Sequence, residues 1–191
     1  VAGVSLTALI AVLLFPALRP GGQKAPDFSA LAPVAGIPEG GAMPNRAPPL
    51  SGTPREQADR LFNRVMQAQA QADTQQVSFF LPMAVLAYQQ AGDLDADGLY
   101  HLSVLETAAG QAASALNSAE QILGTNPDHL LGLAAAAQAA DALGKPAVAR
   151  RYYERLLARY EAERTKPLPE YQDHAPVLPG YRQEAEAYLK R

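Results

Sequence analysis

From Thr53 onward, hydrophobic positions recur at helical spacing. Ala58, Leu61, Phe62, Val65, Met66, Ala68 and Ala72 form one stripe, while Arg55, Asp59, Asn63 and Gln67 fall on the opposite face. Thr53-Pro54-Arg55-Glu56 is a helix start: Thr53 suits the N-cap, Pro54 the first helical position, and Glu56 can reach back to the cap. The pattern predicts a helix from Pro54 to about Asp73. A second runs from about Gln75 to Ala91 and is closed by Gly92, with Pro82 imposing either a kink or a late start near Phe80.

Between Leu99 and Tyr160 the pattern repeats itself at an offset of 34 residues. Leu99 recurs as Leu133, Ala108 as Ala142, Gly110 as Gly144, Ala113 as Ala147, Ala115 as Ala149, Glu120 as Glu154 and Leu123 as Leu157. Small or apolar residues at seams, with Gly at each turn, are what two packed helices per unit require. Lys166 to Pro179 carries four prolines and reads as extended; Gly180 to Arg191 reads as a short closing helix with Tyr181, Ala185, Tyr188 and Leu189 on one face.

The stretch from Ala96 to Tyr160 resembles the tetratricopeptide repeat family. The second unit carries the family's pattern at Leu133, Ala136, Ala137, Gly144, Ala149, Tyr153 and Leu156. The first carries it at Leu99, Leu102, Ser103, Gly110, Ala115, Ala119, Ile122 and Pro127, departing at Ala119 and Glu106. Helices 54–91 resemble a further, divergent unit. The resemblance implies an all-α, TPR-like helix-turn-helix solenoid spanning 54–165, with 166–191 as its cap. It also implies a concave groove lined by Asp97, Tyr100, Val104, Thr107 and Ala108, then by Leu131, Ala134, Gln138, Asp141 and Ala142. That groove lacks the Lys, Arg and Asn of carboxylate-clamping relatives. It suits an apolar helix, an extended segment or the chain's own tail.

The N-terminal pattern differs. Val1 to Leu18 carries no charge, and Val4, Leu6, Leu9, Ile10, Val12, Leu13, Leu14 and Phe15 would make a single transmembrane helix about 27 Å long. Pro16 would end it, with Arg19 and Lys24 as an interfacial flank. A cleaved secretory signal is the alternative, but no good cleavage site follows, the nearest being Ala30 and Ala32 before Pro33. Residues 19–53 are rich in Pro, Gly and Ala, as in Gly21-Gly22, Gly40-Gly41 and Pro48-Pro49, and form a linker. A signal-anchor with a basic start would place the repeat domain on the extracytoplasmic, periplasmic side.

Composition narrows the chemistry. A net charge of −3 argues against a general nucleic-acid binder, which would need a concentrated basic face. With no cysteine, disulfides and thiolate metal sites are excluded. Asp93, Asp95, Asp97 and Gly98 match the first half of a calcium loop, but Val104 stands where the bidentate Glu belongs, so an acidic turn capping the next helix is expected in place of a metal site. His101, His129 and His174 read as isolated residues, His101 as a surface or groove residue and His129 as an ornament of a helix start. Arg151, Arg155 and Arg159 share a face with Tyr152 nearby, read as a solvated outer face in preference to a lipid- or partner-binding patch. No nucleophile elbow or phosphate-cradling loop is present, and no cofactor is expected.

Anchor, linker and repeat domain together describe a non-catalytic accessory subunit or adaptor, holding protein partners within a larger membrane complex and touching the bilayer through its N-terminal helix. Respiratory or photosynthetic assemblies are one such setting. The rivals are a free extracytoplasmic, chaperone-like repeat protein that binds unfolded segments and an enzyme with an unrecognised site.

Overall fold

The computed structural model describes residues 52–191, and their regular structure is entirely helical. Eight helices follow one another there: α1 (Pro54–Ala70), α2 (Thr74–Gln90), α3 (Ala96–Ala108), α4 (Ala112–Thr125), α5 (Leu130–Ala142), α6 (Pro146–Glu163), α7 (Pro169–Asp173) and α8 (Leu178–Leu189). None of them is long and apolar enough to cross a membrane. The expected anchor, Val4 to Phe15, and the linker up to Ser51 lie outside the described residues.

The sequence period is also the structural period. Both ends of α5 lie 34 residues after those of α3, and α6 begins 34 residues after α4. Each helix hairpin closes with the same bond, from the N–H just past the turn to a carbonyl five residues back. These are Asp73 to Ala68 at 2.9 Å, Gln111 to Glu106 at 2.8 Å and Lys145 to Ala140 at 2.9 Å. The bond needs a left-handed residue before its donor. Gly110 (φ 73°) and Gly144 (φ 68°) supply it in the later hairpins, and Ala72 (φ 54°) in the first. The α1–α2 hairpin is therefore built like the other two, although its signature residues differ.

α1 begins as its sequence signal requires. The Thr53 side chain accepts from the Glu56 N–H, and the Glu56 carboxylate accepts from the Thr53 N–H at 2.7 Å. α2 does not wait until Phe80. Asp73 caps it by accepting from the Gln76 N–H at 3.0 Å, and the helix runs from Thr74 through Pro82. Pro82 lies on the exposed side, so its ring meets solvent and not a neighbouring helix.

Successive helices pack in turn, and α8 folds back onto α6 and α5. The centre is α5, whose residues Leu130 to Ala137 are all buried. A helix apolar on every side must be enclosed on every side, and its alanines let neighbours approach closely. Gly132 marks a close approach of α4: a Cβ there would sit 3.0 Å from Ile122 Cγ2 and 3.1 Å from Leu123 Cδ2. A second apolar cluster joins α1, α2 and α3 through Phe62, Val65, Val85, Tyr88, Leu102 and Leu105.

Residues 166–179 are not extended throughout, as their four prolines suggested. Pro169 occupies the first turn of α7, where its missing N–H is no loss, and α8 starts at Leu178, two residues before Gly180.

Candidate functional site

Of the residues that the repeat resemblance assigns to a concave groove, Asp97, Tyr100, Gln138 and Asp141 bond to the C-terminal arm, whereas Ala108 and Ala142 are exposed. The Tyr100 and Tyr181 hydroxyls are 2.6 Å apart. Gln138 Nε2 donates to Glu184 Oε2 at 2.8 Å, and Tyr188 donates to Asp141 Oδ1 at 2.6 Å. Leu131 and Ala134 are fully buried in the core that also contains Leu178 and Ala185. Val104 is half-buried between the two apolar clusters, and Thr107 is half-buried. Burial and the Glu184 charge and hydrogen bond together push the Tyr153 hydroxyl well above its ordinary range.

At the N-terminal end of α3 lies a second constellation, which sequence reasoning did not assemble. Asp95 caps α3, its Oδ1 accepting from the Gly98 N–H at 2.8 Å. Arg55 reaches across from α1 to Asp95 Oδ1 at 2.7 Å, to Asp97 Oδ2 at 2.6 Å and to Asp59 Oδ1 at 2.9 Å. A guanidinium thus serves the acidic turn read as half a calcium loop, and Asp93 is exposed outside this network. Burial would lower the Arg55 pKa, but its bonds to Asp95 and Asp59 prevail and raise it.

His101 is not a surface residue. It is 8% exposed and stacks on Phe62 with ring centroids 3.8 Å apart. Its Nδ1 lies 2.8 Å from the Tyr88 hydroxyl, which itself donates to Asp59. With that hydroxyl hydrogen committed, His101 Nδ1 carries the proton and donates to Tyr88, leaving a lone pair on Nε2. Facing that lone pair are His174 Nε2 at 3.1 Å and Asp97 Oδ1 at 3.6 Å; His174 Nε2 and Asp97 Oδ1 are 2.8 Å apart. Burial holds the His101 pKa down to about 4. Burial works against ionisation of Asp97, but the His174 hydrogen bond and the charges of His101, His174 and Arg55 outweigh it and lower the pKa. Among the described residues this trio is the group of side chains able to hold a metal ion.

α7 brings His174 to α3 by locking onto the start of α5. Tyr171 accepts from the Leu130 N–H at 2.8 Å, and His129 Nε2 pairs with Glu170 Oε1 at 3.0 Å. His129 is the N-cap, its Nδ1 accepting from the Gly132 N–H. One helical turn thus satisfies the Leu130 amide, holds the His129 cap through Glu170 and places His174 against Asp97.

Two of the three arginines on the basic face of α6 are paired. Arg155 meets Asp128 at 2.7 Å, Arg159 meets the same carboxylate at 3.4 Å, and Tyr152 donates to Glu120 at 2.8 Å.

The outer face of α2 is different in character. Phe79, Met83 and Leu86 are 64%, 46% and 53% exposed, and Pro82 lies among them. This face continues into a shallow groove of about 490 Å³ lined by Leu81, Val85, Leu86, Ala108 and Ala109.

No family model matches the chain, and no curated protein matches it significantly.

Sequence reasoning treated the three histidines separately. The available signal was the four-residue step from Asp97 to His101, one helical turn, which puts both on one face of α3. Nothing local indicated His174, because its place depends on how α7 docks.

Proposed function

We propose that this chain is a membrane-anchored, non-catalytic adaptor of tetratricopeptide-like repeats that holds partner proteins together at a bilayer surface. The observation that carries this reading is the exposed apolar face of α2, with Phe79, Pro82, Met83 and Leu86 beside a groove whose lining also includes the polar Ser78, Gln89 and Gln111. Large apolar side chains gathered on one surface cost solubility unless a partner covers them. α8 covers Tyr100, Gln138 and Asp141 of the face that the repeat resemblance assigns to ligands, and the α2 face offers an exposed surface for an apolar helix of another protein. The charge-free run from Val1 to Leu18 supports the anchor, which would raise the domain's effective concentration for membrane partners without strong contacts.

The test is purification of the full chain from its native membrane in mild detergent, with the stoichiometry of co-migrating proteins measured for the natural sequence and for Phe79→Glu with Leu86→Glu. A partner at fixed ratio that is lost in the variant, while helicity is kept, is the expected result. A shifting set of unfolded clients would favour the chaperone reading. A lone protein with no partner would overturn the proposal.

A further inference from the structure

We propose that Asp97 Oδ1, His101 Nε2 and His174 Nε2 form a site for one first-row divalent metal ion, Zn²⁺ by its donor set, that fastens α7 to α3. The three atoms make a triangle with edges of 2.8, 3.1 and 3.6 Å. A tetrahedral ion with bonds of ~2.0–2.1 Å holds neighbouring donors about 3.3–3.4 Å apart, so shifts of a few tenths of an ångström complete the face of a tetrahedron. A fourth position is left for water. Two imidazole nitrogens and one carboxylate oxygen suit zinc and its neighbours, whereas calcium and magnesium require more oxygen.

The surroundings are those of a ligand set held in advance. The two rings lie nearly perpendicular, at 84° with centroids 5.0 Å apart, so their nitrogens meet tip to tip and do not stack. His101 is fixed by Phe62 on its face and by Tyr88 on Nδ1, and Tyr88 is held in turn by Asp59. A ligating imidazole commonly donates its second N–H to such a chain of acceptors, which sets the tautomer that points a lone pair at the metal. Asp97 is oriented through its other oxygen by Arg55, and the Tyr100 ring meets His174 edge-on at 4.8 Å. Charge agrees with geometry. Asp59, Asp95 and Asp97 surround the single Arg55 guanidinium, three carboxylates against one cation, and the formal −2 that remains equals the charge a divalent ion would cancel.

The bond would be a long-range staple. Asp97 and His174 are separated by 77 positions, and α7 leads directly into α8, the helix lying over Tyr100, Gln138 and Asp141. An ion here ties the C-terminal arm to the first helix of the repeat pair. The proposal stands apart from the adaptor reading, since it uses no residue of the α2 face.

The experiment uses the full chain in detergent micelles, free of affinity tags and pretreated with chelator. Zn²⁺ chloride is titrated calorimetrically, and Co²⁺ is added as a spectroscopic substitute. One ion per chain, visible bands of a tetrahedral Co²⁺ centre and two hyperfine-shifted imidazole N–H resonances are expected from the natural sequence, with no substitution needed. His174→Gln and Asp97→Asn, each with native far-ultraviolet circular dichroism, should weaken Zn²⁺ binding at least ~100-fold. Tyr88→Phe, which removes the hydroxyl that links His101 to Asp59 and leaves all three ligands in place, should weaken it ~10–100-fold. The absence of stoichiometric uptake by the natural chain overturns the site, as does affinity unchanged in both His174→Gln and Asp97→Asn.

Discussion

Tyr100 and Tyr181, 81 positions apart in the chain, meet through their hydroxyls at 2.6 Å beneath the C-terminal arm. Burial raises both phenols, Tyr100 to about 12 and Tyr181 well above the ordinary value, so both remain neutral and hydrogen-bonded at any physiological pH. Each hydroxyl depends on the other for a partner away from water. Tyr181→Phe should therefore cost about 1–3 kcal/mol by stranding the Tyr100 hydroxyl, whereas the Tyr100→Phe, Tyr181→Phe pair should be nearly neutral. Urea unfolding of the two singles and the double measures the coupling directly.

The attachment of α8 rests mainly on apolar burial. Leu178 is 5% exposed and sits in the same core as Leu131 and Tyr153. Leu178→Ala should lower stability by about 2–4 kcal/mol. It should also accelerate limited proteolysis after residue 177 more than elsewhere in the repeat helices.

Ala115 and Ala149, 34 positions apart in α4 and α6, are both fully buried. Ala149→Asp or Ala115→Asp places an unpaired carboxylate at a helix seam, and a loss of roughly 3–5 kcal/mol or outright failure to fold is expected. Thermal unfolding by circular dichroism is sufficient to see it. Unchanged melting of both variants would contradict the repeat register.

Ala72 occupies the left-handed position that glycine fills at 110 and 144. A Cβ in that region costs about 1–2 kcal/mol, partly offset by glycine's greater freedom in the unfolded chain. Ala72→Gly should stabilise the protein by up to about 1 kcal/mol. Gly110→Ala and Gly144→Ala should each lose a similar amount, from backbone strain alone, because no atom lies within 4 Å of the Cβ they would gain. Chemical denaturation resolves changes of this size.

Glu106 is buried, and burial raises its pKa despite the hydrogen bond donated by Ser118 at 2.8 Å. In the unfolded chain the carboxyl ionises first, so folding loses stability as pH rises from the ordinary Glu value through the raised native one. Glu106→Gln should therefore be more stable than the natural protein at neutral pH, and the difference should vanish below about pH 4, where both forms are uncharged. His129 acts in the opposite sense. Burial lowers its pKa, so the stability it contributes is present above the ordinary imidazole value of about 6.5 and is lost as pH falls from there toward the depressed native value. Stability against pH, measured for Glu106→Gln and the natural chain, separates the two limbs.

Much of this architecture is local in origin and was legible as text. The Thr53 cap, the 34-residue period, the glycine turns at 110 and 144 and the all-helical class follow from interactions within a few residues, which a chain carries wherever it goes. Pro82 does not delay the start of α2, because Asp73 caps the helix ahead of Thr74 and holds the turns that precede the proline. The prolines of 166–179 misled for a related reason. Pro169 is compatible with extended chain or with a helix's first turn, and Tyr171 and Glu170 decide for the helix by capping α5.

What the sequence by itself determined is the helices, their period and the small residues at their seams, because backbone propensity, capping and amphipathic spacing act over one or two turns. What only the tertiary structure decided is the company that distant residues keep. Asp97 and His101 share a helix face by spacing alone, but His174 joins them because α7 docks on the N-terminus of α5. Arg55, rather than a calcium ion, meets the acidic turn because α1 packs beside α3. Those meetings depend on loop closure across some 40 to 77 positions, which no local pattern encodes.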